Sequence, residues 1–269
     1  MGSRKVFFFD VDGTLIDDET KQVPESALRA VAELKKRGHL VFINSGRTLC
    51  FLEYQMELFG ISSVAAGCGT HIIVDGNTVM ERHIPHERGL EIKRTLKELR
   101  IDACLEAQEA IYYSDRPFRH PEIMEELLEN TSVYAETEVN SLEDNSFDFD
   151  KFCIQTDPHF PERELLDRFF ARVPDFECID RGRGFFECVP KGFSKGTAVQ
   201  FVMNRYGIGA DDAYVFGDST NDIAMFKSSA RNRIIMQDHD TALEPYASFE
   251  TKSVMEDGIE FALKSLGVL

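Results

Sequence analysis

The chain has 269 residues, 43% of them hydrophobic, with a formal charge of −17 at pH 7 and an isoelectric point near 4.8. This length suits one large domain or two modest ones, each with a packed core. The acidic balance argues against nucleic acid as a partner, because phosphate backbones are bound by basic surfaces. A small phosphorylated ligand remains compatible with it, since such a ligand needs only a local positive site.

The beginning of the chain and its cysteines bear on location. Met-Gly-Ser-Arg-Lys leads directly into an apolar strand, and no apolar run approaches the ~20 residues that span a bilayer. We therefore expect a cytoplasmic protein with no membrane partner. The cysteines have no CxxC or zinc-site spacing, which is typical of free thiols in a reducing compartment. They are Cys50, Cys68, Cys104, Cys153, Cys178 and Cys188.

The first part of the chain alternates short apolar runs with stretches of helical spacing. The apolar runs predict strands buried on both faces, and Gly38 and Gly60 end the helices. In order, the predicted elements are strand Val6–Phe9, helix Glu25–Arg37, strand Leu40–Ile43, helix Thr48–Phe59, and strands Val64–Ala66 and Ile72–Val74. This alternation predicts a parallel α/β sheet.

The middle of the chain is spaced differently, as in an antiparallel α+β unit. The predicted helices are His86–Arg100, Pro121–Asn130 and Pro161–Arg172, and the predicted strands are Ala103–Ser114, Lys151–Thr156, Phe176–Asp180 and Phe185–Val189. The tract Glu136–Asp150 is polar and acidic, which predicts a surface loop. Glu187 lies on the last of these strands, where it faces either a substrate hydroxyl or solvent.

The α/β pattern returns after Gly192. The predicted elements there are helix Ser194–Tyr206, strand Ala213–Phe216, helix Asn221–Ser228, strand Arg233–Met236 and helix Val254–Leu266. We therefore predict a Rossmann-like parallel sheet core from residues 1–82 and 191–269, with an α+β domain of residues 83–190 inserted into it.

Two carboxylates follow the first strand in the sequence Lys5-Val-Phe-Phe-Phe-Asp-Val-Asp-Gly-Thr14. Asp10 and Asp12 point to the same side of an extended chain, and the carboxyl end of a parallel strand faces the ligand crevice. Paired carboxylates need a compensating charge, which a magnesium ion with oxygen ligands supplies. The alternative is an ordinary turn, because Asp and Gly are common turn residues.

A second acidic strand end lies in Phe216-Gly-Asp-Ser-Thr-Asn-Asp222. Asp218 follows a predicted strand, and Asp222 stands at the start of the next helix, where a carboxylate suits the helix dipole. Helix capping is the alternative reading, and it accounts for one polar residue of the run but not for all of them.

Two further stretches offer anion-binding groups. Ser45, the Gly46 amide and Arg47 follow the second strand and form a natural oxyanion cradle at a helix start. Taken alone, this stretch is better explained by a capped helix start than by an anion site. Lys195 lies just inside the beginning of a helix, which is the unfavourable end for a cation. Its position suggests that it binds an anion, although a solvated lysine is the simpler interpretation.

Together the four stretches, in order and spacing, resemble the motifs of the haloacid dehalogenase-like hydrolase superfamily. The whole chain is most similar to its Cof-like subfamily, whose members are mainly magnesium-dependent sugar-phosphate phosphatases. That subfamily carries an α+β cap between the second and third motifs, where residues 83–190 fall. The resemblance therefore implies an α/β core with an inserted cap domain that selects the substrate.

The resemblance also implies a role for each matched residue. Asp10 would be the nucleophile that forms an aspartyl-phosphate, and Asp12 the general acid and base. Magnesium would be bound by Asp10, the Asp12 backbone carbonyl and Asp218, with Asp222 in direct or indirect support. The residues that would bind the phosphoryl group are Ser45, Gly46, Arg47, Lys195 and Asn221.

The chain departs from the subfamily at two places near these motifs. Cys68-Gly69-Thr70 stands where members often have Asn-Gly-Ala, and Ile235-Met-Gln-Asp-His-Asp240 replaces an Ala-Met-Gly-Asn-Ala-like stretch. Neither change removes a catalytic group. Both concern the rim of the expected site, so they bear on substrate shape.

Two other functions stay open. A hexose phosphomutase would use the same aspartyl-phosphate but would need basic residues in the cap for a second phosphate. A catalytically idle protein could bind a phosphorylated ligand, although such proteins usually lack the nucleophile or the acid. The cap arginines considered for that phosphate are Arg116, Arg119, Arg181 and Arg183, and their surroundings are strongly acidic, which favours hydrolysis.

Overall fold

The computed structural model describes residues 3–269, which form two compact units. The core unit comprises residues 3–46, 54–81 and 193–269, and the inserted unit comprises residues 47–53 and 82–192. A separate cap domain of residues 83–190 stays a prediction. The sequence did not indicate that residues 47–53 pack with the inserted unit.

The strands alternate with helices in the first and last parts of the chain. The strands are β1 (Val6–Phe9), β2 (Leu40–Asn44), β3 (Ser63–Ala66), β4 (His71–Val74), β5 (Asn77–Glu81), β6 (Asp102–Glu106), β7 (Ala110–Tyr113), β8 (Glu136–Glu138), β9 (Lys151–Gln155), β10 (Phe176–Asp180), β11 (Phe185–Pro190), β12 (Ala213–Gly217), β13 (Asn232–Ile235) and β14 (Phe249–Glu250). The helices are α1 (Glu25–Lys36), α2 (Glu53–Phe59), α3 (His86–Leu99), α4 (Pro121–Ser132), α5 (Arg163–Phe170), α6 (Lys195–Tyr206), α7 (Ile223–Phe226) and α8 (Gly258–Ser265).

The core unit is built on an eight-stranded sheet in the order β14-β13-β12-β1-β2-β3-β4-β5. The pairs from β14 to β3 are parallel, and β4 and β5 continue the sheet antiparallel. Every side chain of β1 is fully buried, as its unbroken apolar run predicts. The neighbours of β1 are β12 and β2, so the carboxyl ends of these three strands lie side by side.

Helix α1 shows how the core helices follow from the sequence. Its buried residues Ala27, Ala30, Val31 and Leu34 recur at helical spacing, so one face packs inward. Glu25 lies in its first turn, where a carboxylate favours the helix dipole. The predicted α/β fold class is therefore what the core unit shows.

The inserted unit has its own six-stranded sheet in the order β10-β11-β9-β6-β7-β8. Its strand pairs are antiparallel except β7 with β8. Side chains alternate across it, so that Leu105 and Phe152 pack in an apolar cluster with α3 and α5. Cys104 and Cys153 belong to a second cluster, together with Met124 of α4.

Five expectations for individual segments were wrong. Two are predicted helices near the end of the chain: Asn221–Ser228 is a 3₁₀ turn, Thr220–Asp222, followed by α7, and Val254–Leu266 is a 3₁₀ turn, Val254–Glu256, followed by α8. The predicted strand Ala103–Ser114 is a hairpin of β6 and β7, and the predicted helix Thr48–Phe59 is a 3₁₀ turn, Leu49–Phe51, followed by α2. The acidic tract predicted as a surface loop contains β8 and the buried side chains Leu142 and Phe149.

Across residues 3–269, no helix combines the length and the apolar character that crossing a membrane requires.

Candidate active site

Three strand ends bring polar residues to one edge of the core sheet. Asp10 follows β1, Ser45 follows β2, and Asp218 follows β12. The Asp10 amide donates to the carbonyl of Phe216 at 3.1 Å, and the Ser45 amide donates to that of Ala65 at 3.0 Å, so both residues continue the strand pairing. The strand pairing therefore fixes the backbone positions from which the Asp10 and Ser45 side chains extend.

A buried cluster of three carboxylates lies at this edge. Asp10, Asp218 and Asp222 each offer an oxygen within 4.8 Å of the others. They are 4%, 7% and 0% exposed, respectively. Carboxylates that lie this close together and this deeply buried repel one another unless a cation lies among them.

Lys195 supplies one such cation from the first residue of α6. Its Nζ lies 2.7 Å from Asp10 Oδ1 and 2.7 Å from Asp222 Oδ1, and it donates to Asn221 Oδ1 at 3.0 Å. Burial alone would lower the pKa of Lys195, but Asp10 and Asp222 together raise it above its ordinary value. The carboxylates thus account for a lysine at the unfavourable end of a helix.

Asp222 combines the two roles that the sequence presented as alternatives. Its Oδ2 accepts the backbone amides of Asp218 at 3.0 Å and Ser219 at 3.4 Å, which is a capping arrangement. Its Oδ1 meanwhile accepts from Lys195. A Cβ on Gly217 would overlap Asp222 Oδ2, so this close approach requires glycine.

Asp218 is held by a residue that was quoted in the sequence motif but given no role. Thr14 is fully buried, and its Oγ1 donates to Asp218 Oδ1 at 2.9 Å. Gly13 has φ +72°, and a Cβ there would lie 2.5 Å from Asp218 Cγ. The predicted turn after Asp12 therefore also makes room for the second acidic motif. In the sequence, the feature that could have pointed to a role for Thr14 is its position directly after Gly13 of that turn.

The cluster carries more negative than positive charge. Burial and the neighbouring Asp222 raise the pKa of Asp10 to about 7, against the opposing effect of Lys195. Burial and the charges of Asp10 and Asp222 raise the pKa of Asp218 to about 8. A further cation would relieve this excess, and a set of carboxylate oxygens suits magnesium. The residues present therefore fit a magnesium ion.

The other predicted residues differ in burial and in the unit to which they belong. Ser45 is 4% exposed, and its carbonyl accepts the Cys68 amide at 3.0 Å. Asp12 is partly exposed and bridges to Ile16 in the turn. Asn221 is exposed but contacts Lys195 through its side-chain oxygen. Arg47 belongs to the inserted unit, whereas Ser45 and Gly46 belong to the core unit.

Comparisons with known proteins agree along the whole chain. YkrA of Bacillus subtilis (strain 168), named as a provisional phosphatase, is 28% identical over 266 residues, which cover 98% of each chain. A structure from Geobacillus kaustophilus HTA426, described as a hypothetical protein, is 26% identical with a TM-score of 0.86, over 99% of this chain and 100% of that one. The HAD subclass IIB sugar phosphatase BT4131 shares the fold at 21% identity and a TM-score of 0.79, over 98% and 100%.

The family model of haloacid dehalogenase-like hydrolases matches residues 7–263. This range includes every motif residue described above. The chain therefore belongs to the haloacid dehalogenase-like hydrolase family.

Proposed function

We propose that this chain is a magnesium-dependent phosphatase that hydrolyses a small sugar phosphate through an aspartyl-phosphate on Asp10. Its family and the phosphatase names of its relatives make it a phosphoric monoester hydrolase. The metal, the covalent intermediate and the sugar are the proposal. The observation that carries it is the buried cluster in which three carboxylates share one lysine.

In the first step Asp10 attacks phosphorus. Lys195 holds Asp10 Oδ1, so the other carboxylate oxygen is the one that forms the bond to phosphorus. As the bond to the leaving oxygen breaks, Asp12 donates its proton to that oxygen. Asp12 then takes a proton from water, which attacks the aspartyl-phosphate and releases inorganic phosphate.

The metal would be held by Asp10, Asp218 and the backbone carbonyl of Asp12. Asp222 already accepts Lys195 on one oxygen and backbone amides on the other, so we assign it to orienting rather than to binding the ion. When bound, magnesium neutralises charge on the phosphoryl oxygens and on Asp10. Lys195 adds to that neutralisation from the protein side.

The remaining phosphoryl contacts come from the second and last motifs. Ser45, the Gly46 amide and Asn221 donate to the phosphoryl oxygens, and Arg47 adds a planar donor. The sugar assignment rests on the subfamily resemblance and on the description of BT4131 as a sugar phosphatase. A cytoplasmic location stays a prediction, which the six free cysteines favour.

Three of the four arginines that could bind a second phosphate are already paired with carboxylates, which favours hydrolysis over phosphoryl transfer within a hexose phosphate. Arg116 Nε donates to Glu125 at 3.0 Å, Arg119 pairs with Glu162, and Arg181 pairs with Glu187. Each of these arginines thus has a carboxylate beside it. A mutase would present such residues to the second phosphate of its substrate.

The test is a panel of sugar phosphates, nucleotides and cofactor phosphates, assayed for released phosphate with magnesium and with EDTA. We expect release that EDTA abolishes and magnesium restores. Asp10→Asn should lower turnover by about 10⁴-fold or more with its fold intact, as for other catalytic nucleophiles. Asp18→Asn, an exposed neighbour, is the control.

Three results would count against the proposal. Near-normal activity in Asp10→Asn would remove the nucleophile assignment. Isomerisation that depends on a bisphosphate activator, without phosphate release, would favour the mutase. No turnover of any ester would favour the idle ligand-binding protein.

A further inference from the structure

A buried amide lies behind the Lys195–Asp222 pair. Asn44 is the last residue of β2, immediately before Ser45, and it is fully buried. Its Nδ2 donates to the backbone carbonyl of Lys195 at 3.0 Å and to the sulfur of Met225 at 3.2 Å. Lys195 opens α6 and Met225 lies in α7, so one amide group contacts both helices.

These two helices carry the charges of the site at their beginnings. Lys195 is the first residue of α6, and Asp222 directly precedes α7. The helices approach each other closely, because a Cβ on Gly196 would overlap the carbonyl of Ala224. A small shift of either helix would therefore change the 2.7 Å separation between Lys195 Nζ and Asp222 Oδ1.

The same asparagine is costly for the fold. Within residues 3–269, Asn44 Oδ1 has no hydrogen-bond partner although it is buried. An unsatisfied buried acceptor destabilises a protein, because it has lost its hydrogen bond to water without gaining another. An apolar residue would be the expected choice at the end of an otherwise apolar strand. The stability of the fold therefore does not explain why an amide donor stands at this position.

We propose that Asn44 is a positioning residue, which sets Lys195 against Asp10 and Asp222 by holding the beginnings of α6 and α7. Its catalytic consequence rests on the proposed phosphatase function, whereas the structural part does not. Asn44 contacts neither the substrate nor the reacting atoms. It acts through Lys195. The Lys195 charge must lie close to the phosphoryl group when negative charge moves from Asp10 to that group.

The experiment compares Asn44→Ala and Asn44→Val with the matched control Gln55→Leu. Gln55 is another buried amide of the core unit whose Oε1 has no partner among the described residues, and it lies in α2. We expect both Asn44 variants to lower kcat by about 10–100-fold with KM changed less than about threefold, because misplacement of a catalytic group costs rate. The urea midpoint of Asn44→Val should stay level or rise, because it removes the unsatisfied acceptor and leaves little cavity, whereas the cavity in Asn44→Ala offsets that gain. Gln55→Leu should change neither kcat nor KM.

A second measurement does not depend on activity. Hydrogen exchange of the peptide that contains residues 194–202 should be faster in both Asn44 variants than in the wild type and in Gln55→Leu. Unchanged exchange would overturn the positioning role even if the wild type proved inactive on every ester. A lowered urea midpoint with unchanged kcat would overturn it too, since that is the signature of a purely structural residue.

The two inferences fail in different ways. If the wild type releases phosphate but the Asn44 variants keep normal kcat, only the positioning role is lost. If the wild type releases none while the exchange difference appears, the proposed function is lost and Asn44 still holds α6. If Asn44→Ala does not fold, Asn44→Val fills most of the vacated volume and decides the outcome.

Discussion

Two buried lysines, one in each unit, each lie between two carboxylates. Lys195 of the core unit contacts Asp10 and Asp222. Lys151 of the inserted unit lies 3.3 Å from Glu106 and also pairs with Glu187. The lysines are 2% and 3% exposed, so neither pair is screened by solvent to a useful extent.

The two clusters differ in their balance of charge. In the inserted unit, Arg181 Nε donates to Glu187 at 3.0 Å and brings a second cation. Burial opposes ionisation of Glu187, but Lys151 and Arg181 together lower its pKa to about 2. In the core unit the carboxylates outnumber the cation, and the pKa values of Asp10 and Asp218 are raised.

This difference separates a structural ion cluster from a reactive one. A balanced and hydrogen-bonded cluster needs nothing more, and breaking it leaves an uncompensated buried charge. An unbalanced cluster is incomplete without a further cation, and the raised pKa values of Asp10 and Asp218 suit these two groups to exchanging ligands and protons. The comparison predicts opposite responses of the two clusters to mutation, to pH and to magnesium.

Replacing each lysine by methionine tests this most strongly. Lys195→Met should lower kcat/KM by about 10³-fold, because it removes a charge that stabilises the transition state. Lys151→Met should instead lower the free energy of unfolding by about 3–5 kcal/mol, because it removes the cation that contacts both Glu106 and Glu187. Steady-state assays of phosphate release and urea unfolding measure the two effects.

The control for both is Lys36→Met, an exposed lysine of α1 that should change neither quantity appreciably. The folded fraction of Lys151→Met should keep its kcat within about tenfold of the wild type, since most of the rate loss from a removed catalytic charge is specific to the reacting centre. A folded Lys151→Met with activity as low as that of Lys195→Met would contradict the structural role of the inserted cluster.

The core elements could be predicted because their signals are local. An unbroken apolar run identifies β1, and parallel strands bring their carboxyl ends to one edge, which places Asp10 and Asp218 together. The contact of Thr14 with Asp218 could not be predicted, because it joins residues 204 positions apart in sequence. The same holds for Asn44, whose partners lie in two later helices.

Errors in the inserted unit came from tertiary packing that local patterns do not carry. The predicted helix from Thr48 breaks because Cys50 is drawn into an apolar cluster and the Leu49 amide donates to Gln108. The hairpin of β6 and β7 turns through Gln108 and Glu109, since the Ala107 amide still donates to the Ala110 carbonyl, and no glycine or proline marks the turn. Glu187 is buried rather than facing solvent, because Lys151 and Arg181 lie beside it.

The pH dependence of stability should differ in sign between the clusters. Glu187 has its pKa lowered from 4.5 to about 2, so its contribution of about 3 kcal/mol is present above pH 4.5 and is lost as the pH falls towards 2. The pKa values of Asp10 and Asp218 are raised from 3.8, so their contribution is fully present below pH 3.8 and is lost as the pH rises through 7 and 8. Urea unfolding in EDTA from about pH 2 to about pH 8.5 measures both changes.

Two variants show which cluster causes the loss of stability at acid pH and which causes the loss at higher pH. Glu187→Gln should flatten the acid limb, and Asp218→Asn should flatten the alkaline limb of the EDTA-treated protein. Magnesium should raise the urea midpoint more at pH 8 than at pH 5.5, because it binds the ionised carboxylates. An equal effect of magnesium at the two pH values would contradict the charge imbalance of the core cluster.

The smallest effect concerns a single hydrogen-bond donor to each cluster. Thr14 Oγ1 donates to Asp218, and Cys153 Sγ donates to Glu106 Oε1 at 3.2 Å. Thr14→Val should raise the half-activating magnesium concentration by about 10–100-fold, since groups that orient a metal ligand contribute that much to affinity. Its activity at saturating magnesium should recover to near the wild-type level. Cys153→Ala should leave the half-activating concentration unchanged, because Glu106 lies outside the group of Asp10, Asp218 and Asp222 that could hold the ion. A shift like that of Thr14→Val would show that the two clusters are coupled.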